Sequence, residues 1–187
     1  MKQVSTIEDY ILIRKIKSGD TEAWERLVNK YYHQIYSYCV RRCLGDRVLA
    51  ADLTQDIFLR IIENIEKYKF SGKFFNYLFT ITVNVCNNYY NKKKFTQSEL
   101  DEKAVNVGSE AIVTNLITQE NMNQIQVALN TLPDMQREAI ILKYYHDLKV
   151  KDIAKITGTS VATSQSRIHQ GLKKLSKLLD REEFMNG

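Results

Sequence analysis

A chain of 187 residues can form one large domain or two small ones, and an apolar share of 44% is too high for a disordered segment. Seven Gly and one Pro are few for an all-β protein and point to long helices. The net charge of +5 favours a polyanionic partner, and it is uneven: +6 over residues 1–94, −4 over 95–132 and +3 over 133–187.

The spacing of apolar residues predicts a series of helices. Ser5 or Thr6 would cap the first, with Glu8 and Asp9 in its opening turn and Ile7, Ile11 and Leu12 on its apolar side. Ser18-Gly19 ends it. Asp20 or Thr21 would cap the second, where Trp24, Leu27, Val28, Tyr31, Ile35, Tyr38 and Cys39 recur at gaps of three and four. Leu44-Gly45-Asp46 breaks that pattern. A third helix starts near Val48. Its Leu49, Leu53, Ile57, Ile61 and Ile65 repeat every fourth residue, with Ile62 beside them. Asp52, Gln55, Asp56, Glu63 and Asn64 occupy another side. Lys69 to Lys73 reads as a loop, and a fourth helix runs from about Phe74 to Lys94.

From Phe95 the pattern dissolves into polar residues, the one stretch that reads as a tether. Helical spacing returns around Ile112 to Ile117 and continues through Ile125, Leu129 and Leu132. Pro133 suits the first turn of a helix whose apolar positions are Met135, Ala139, Ile140 and Leu142. The expected architecture is all-α. Two small helical domains, residues 1–94 and 112–187, are joined by a flexible linker over 95–111.

The segment "KVKDIAKITGTSVATSQSRIHQGLKKL", Lys149 to Leu175, reads as a helix-turn-helix. Val150, Ile153, Ala154 and Ile156 give the first helix its inner side, Gly158 ends it, and Ser160 can cap the second. Val161, Ile168, Leu172, Leu175 and Leu179 would face inward. Thr163, Ser166, Arg167, Gln170, Lys173 and Lys174 would face out. Such a helix fits the major groove, where Arg167 matches a guanine edge and Gln170 an adenine edge. Thr163 and Ser166 suit phosphates or bases, and Lys173 and Lys174 suit phosphates.

Other chemistry is poorly supported. Cys39, Cys43 and Cys86 are an odd set with no metal-ligand spacing and read as buried thiols in a reducing compartment. His33, His146 and His169 are scattered and read as surface or packing residues. No phosphate-cradling Gly loop, metal cluster or nucleophile–base pair is visible, so neither an enzyme nor a cofactor or metal site is expected. The polar N-terminus and the lack of a long apolar run lead us to expect a cytoplasmic protein with no integral membrane segment.

Both halves resemble one family. "LPDMQREAIILKYYHDLKVKDIAKITGTSVATSQSRIHQGLKKL" resembles the C-terminal promoter-reading domain of bacterial RNA polymerase sigma factors of the extracytoplasmic-function (ECF) class. "GDTEAWERLVNKYYHQIYSYCVRRCLGDRVLAADLTQDIFLRIIENI" resembles their N-terminal domain, and "KFFNYLFTITVNVCNNYYNKKK" its continuation toward the downstream promoter box.

The resemblance implies a dissociable, non-catalytic subunit of RNA polymerase that reads the −35 box as duplex and the −10 box as opened strand. Asp52, Gln55 and Asp56 match the motif that docks on the clamp helices of core polymerase, with Asp56 where Glu is commoner. Phe70, Ser71, Gly72 and Lys73 match the loop that captures a flipped base. Asn84 matches an Asn used near that strand, and Lys92, Lys93 and Lys94 could hold phosphates. Tyr77 stands where Trp is usual, and Thr80 and Val83 where Arg is frequent. Thr157, Thr159 and Ser164 stand where apolar residues are usual, and each hydroxyl buried without a partner would cost about 1–3 kcal/mol. The class also implies an anti-sigma factor, often membrane-tethered, which would hold the protein at the inner face of the membrane. The competing reading is a stand-alone helix-turn-helix transcription regulator.

Overall fold

The structure is a computed structural model that describes residues 2–71, 73–100 and 118–185. Every regular element among them is helical. The first four are α1 (Lys2–Lys17), α2 (Thr21–Arg42), α3 (Arg47–Asn64) and α4 (Phe74–Leu100). Then come α5 (Thr118–Asn130), α6 (Asp134–Ile140), a single π-helical turn (Ile141–Tyr145), α7 (Val150–Ile156) and α8 (Val161–Met185).

Helix α1 starts at Lys2, so the expected caps at Ser5 and Thr6 fall inside it. Glu8 and Asp9 are therefore not first-turn residues. They pair instead with α2, through Lys30 and the Tyr31 hydroxyl. The cap of α2 is Asp20, whose carboxylate accepts from the Ala23 amide at 3.0 Å. Asp46 caps α3 by accepting from the Val48 and Leu49 amides. It can do so because Leu44 and Gly45 both take positive φ, at 59° and 93°, and turn the chain sharply. Helix α4 runs to Leu100, six residues past Lys94, into the stretch that reads as tether. The helical spacing of Ile112 to Ile117 lies outside the described residues.

Leu27, Ile35, Tyr38, Ile57, Ile61, Phe74, Leu78 and Phe79 form the fully buried centre of the first four helices. Each such side chain withdrawn from water stabilises the fold by about 1.5–3 kcal/mol. Leu129, Leu132, Ile140, Ile141, Leu142, Ile153 and Ile156 do the same for the C-terminal helices. Pro133 sits just before α6 with φ −54° rather than inside its first turn. The π turn ends at His146 and Asp147, where Asp147 takes φ 48°. Asp is among the residues that tolerate this region.

The two halves touch. Helix α7 packs on α4, and the π turn packs on α2. The His146 ring lies 4.6 Å from Phe79 and 5.8 Å from Tyr38, centroid to centroid. The Arg41 guanidinium stacks 3.9 Å over the Tyr145 ring, and Arg42 reaches Asp134 at 3.4 Å and Asn87 at 3.1 Å.

Candidate polymerase and nucleic-acid interfaces

Helix α3 buries Leu53, Ile57 and Ile61 against α2 and α4, which turns Asp52, Gln55 and Asp56 to solvent. Leu59 and Ile62 share that outer face and are 56% and 45% exposed. The Ile62 position therefore corrects the periodicity reading, which set it beside the core. A surface that mixes carboxylates, an amide and apolar side chains suits a basic protein partner better than DNA.

After α3 the chain tightens through two turn bonds, from the Lys67 amide to the Asn64 carbonyl and from the Tyr68 amide to the Ile65 carbonyl, and then leads to α4. The Tyr68 ring of this segment meets Tyr77 of α4 at 4.3 Å, and Phe70 sits edge-on to Tyr10 of α1 at 5.3 Å. Asn64, Lys67, Tyr68, Tyr77 and Ile81 line an open recess of about 360 Å³. Two aromatic rings, an amide and an ammonium around one hollow can stack a flat heterocycle and hydrogen-bond its edge. Of the loop residues read from the sequence, Ser71 and Lys73 are exposed, Phe70 is half-buried and Gly72 lies outside the described residues. The recess itself was not foreseen. Its signal in the sequence was the Lys67-Tyr68-Lys69-Phe70 alternation, which only the packing of Tyr68 on Tyr77 turns into a hollow.

Phe74 and Phe79 are core residues, while Phe75 and Tyr77 are half-buried. Val83 is 1% exposed, so an Arg there could not keep its charge in water without displacing the core. Asn84 and Lys92 are exposed further along α4, and the side chains of Lys93 and Lys94 lie outside the described residues. Lys73 and Asn76 already have a partner. Both donate to Asp152 of α7, at 2.8 and 2.9 Å. Burial works against the Asp152 carboxylate, but these two bonds outweigh it and hold its pKa below the usual Asp value.

In the C-terminal unit Gly158 takes φ +64° and ends α7. Ser160 caps α8, accepting from the Thr163 amide at 3.0 Å. Thr157, Thr159 and Ser164 form a hydroxyl relay that starts on the Ile153 carbonyl, with steps of 2.9, 3.0 and 2.9 Å. Each hydroxyl is matched, so the cost of burying it alone does not arise. Ser164, 1% exposed, takes an inward position, while Val161 and Leu172 are 46% and 39% exposed; this corrects the inward facing expected of both. Ile168 is buried and Leu175 half-buried as expected, and the Leu179 side chain lies outside the described residues.

Thr163, Ser166, Gln170, Lys173 and Lys174 share the exposed face of α8. Arg167 is half-buried, on the side of Glu138. Gln170 is bonded to Gln136 and Ser166, so it is held rather than free. Glu138 itself is 1% exposed, and burial raises its pKa.

Comparison with known proteins decides the family. Residues 27–96 match the family described as Sigma-70 region 2, and residues 122–175 match Sigma-70, region 4. The ECF RNA polymerase sigma factor SigW of Bacillus subtilis is 30% identical over 177 residues, which span 89% of this chain and 94% of that protein. The chain belongs to the ECF sigma factors. The sigma-E factor of Escherichia coli K12 is 27% identical over 172 residues, 87% of this chain and 89% of that one.

Among solved structures, the sigma factor RpoE of Bartonella quintana, crystallised with the anti-sigma factor NepR, superposes with a TM-score of 0.69 at 25% identity. It covers 83% of this chain and 96% of its own. CnrH, solved with the cytosolic domain of CnrY, has a TM-score of 0.70 at 22% identity over 93% of this chain and 98% of that one, and shows the shared fold. This ECF sigma factor is thus an alternative sigma factor that directs promoter-specific transcription. Two sigma regions in the expected order leave the stand-alone regulator without support. Among the described residues no helix is long and apolar enough to cross a membrane, and no group of three His, Cys, Asp or Glu residues could hold a metal.

Proposed function

We propose a division of labour across three surfaces. The α3 face, with Asp52, Gln55 and Asp56 at its centre, docks on core RNA polymerase. The opened −10 strand is captured by the Tyr68–Tyr77 recess together with Phe70, Ser71, Gly72, Lys73, Asn84, Lys92, Lys93 and Lys94. The outer face of α8, with Thr163, Ser166, Arg167, Gln170, Lys173 and Lys174, reads the −35 duplex. The factor itself is non-catalytic and works in the cytoplasm. An anti-sigma factor restrains it, a reading supported by the complex of the similar sigma factor RpoE with the anti-sigma factor NepR.

The observation that carries this reading is the segregation of surface chemistry. Acidic and apolar groups sit together on α3, aromatic and basic groups on the α3–α4 segment, and polar and basic groups on the exposed face of α8. Two modest DNA grips held in one polymerase complex combine through effective concentration.

Promoter-specific run-off transcription tests the assignment. Reversing charge at Asp52 and Asp56 should lower affinity for core polymerase about tenfold or more and leave −35 choice intact. Arg167→Ala should relax −35 choice by about 1–3 kcal/mol per contacted base pair and leave polymerase affinity intact. The same defect from both changes would refute the division.

A further inference from the structure

The structure assigns α1 a positioning role in strand capture: Lys17 and Tyr10 brace the wall of the recess that takes the opened base. The inference rests on the recess being the base-binding site. Helix α1 lies outside residues 27–96, which match sigma region 2, so nothing in that match gives it this task.

The wall is the segment after α3. It begins beyond the last helical turn, where backbone carbonyls have no partner of their own helix and need outside donors. Lys17 supplies them. Its ammonium donates to the Glu66 and Tyr68 carbonyls, both at 2.8 Å, from the last turn of a helix some fifty residues earlier. These two bonds flank Lys67 and fix the backbone of Tyr68, and both of those side chains line the recess. A cation on a pair of carbonyls is a stronger tie than a neutral bond.

Tyr10 supplies the second tie. Its ring meets Phe70 edge-on at 5.3 Å, and Phe70 in turn meets Tyr68 at 6.3 Å. The chain of rings ends on Tyr77, which packs on Tyr68 at 4.3 Å, and both rings line the recess. Tyr10 is 47% exposed, so it adds little to the core, and its ring contact is with the loop.

The brace has a fixed foot. Asp9, 3% exposed, accepts from the Tyr31 hydroxyl at 2.7 Å and from Lys30 at 2.8 Å, which pins α1 to α2. Position is thus passed from α2 through α1 to the wall. A base that stacks against the packed Tyr68–Tyr77 pair meets rings already held in place, and pays less to order them.

The test uses full-length protein in complex with core polymerase on forked promoter DNA, its −10 strand already single, with each base of the box changed in turn. Wild-type protein should discriminate sharply at one base. Lys17→Met should blunt discrimination at that base about tenfold, while core affinity, −35 binding and melting temperature stay near wild type. Lys17→Arg, which can still donate to two carbonyls, should restore it. Tyr10→Leu should act in the same direction, which keeps the question open to measurement should Lys17→Met fold poorly.

Unchanged discrimination in both variants overturns the brace. So does a loss spread evenly over the whole box together with core affinity, because that is the mark of a damaged fold. A wild-type complex indifferent to every base of the opened strand overturns the reading of the recess itself, and the brace with it.

Discussion

His146 shows how one side chain can tie two domains together. It is packed between Tyr38 and Phe79, and burial together with the nearby Arg41 charge lowers its pKa from 6.5 to about 4. The folded state therefore resists a proton that the unfolded chain takes up below about pH 6.5. Stability from this residue is complete above that pH and drains away as pH falls toward 4, by about 3 kcal/mol in all. Glu138 works in the opposite direction, since a carboxyl whose pKa is raised by burial favours the folded state in acid. Melting temperature followed from pH 7 to 4 should fall, and His146→Phe should flatten that fall. An unaltered pH profile in the variant would show that another group dominates.

Helices were legible in the sequence wherever apolar spacing alone set them. Leu53, Ile57 and Ile61 point into the core as the four-residue repeat requires, and Asp52, Gln55 and Asp56 point out. Spacing failed where a polar residue found its partner inside. Ser164 of α8 turns inward because Thr159 is there to meet it, and that bond joins the turn to the helix rather than repeating along it. Spacing also passed over Gly171, a lone glycine within α8. A Cβ there would lie 2.9 Å from Cγ1 of Ile140, so α6 and α8 approach too closely for any side chain. Gly171→Ala gains helix propensity but forces the two helices apart. It should destabilise the C-terminal domain by about 1–3 kcal/mol in chemical denaturation. A stabilised variant would mean that Ile140 rotates out of the way.

The contact between domains was the least legible feature, because the residues that make it look solvated in a pattern. Lys73, Asn76 and Asp152 would each pass for surface polar groups, yet they form one cluster between α4 and α7. Lys73 cannot serve Asp152 and a DNA phosphate at the same time, so under the proposed division of labour strand capture and this pairing compete. The Lys73 side chain is 50% exposed, which limits the ion pair to about 1 kcal/mol, or roughly a fivefold change in the ratio of closed to open molecules. Asp152→Ala should shift the free protein toward the open form by about that factor, read as a longer distance between dyes on the two domains. No change in that distance would show that His146 and Arg42 hold the closed form without it.

Cys39, Cys43 and Cys86 are all buried, and burial pushes the Cys43 thiol up to about 11. An alkylating reagent therefore meets none of them until the first four helices come apart. Dyes can be placed on introduced surface cysteines at short exposure without first removing the native three, and slow uptake of a maleimide at longer times becomes a clock for how often that domain opens.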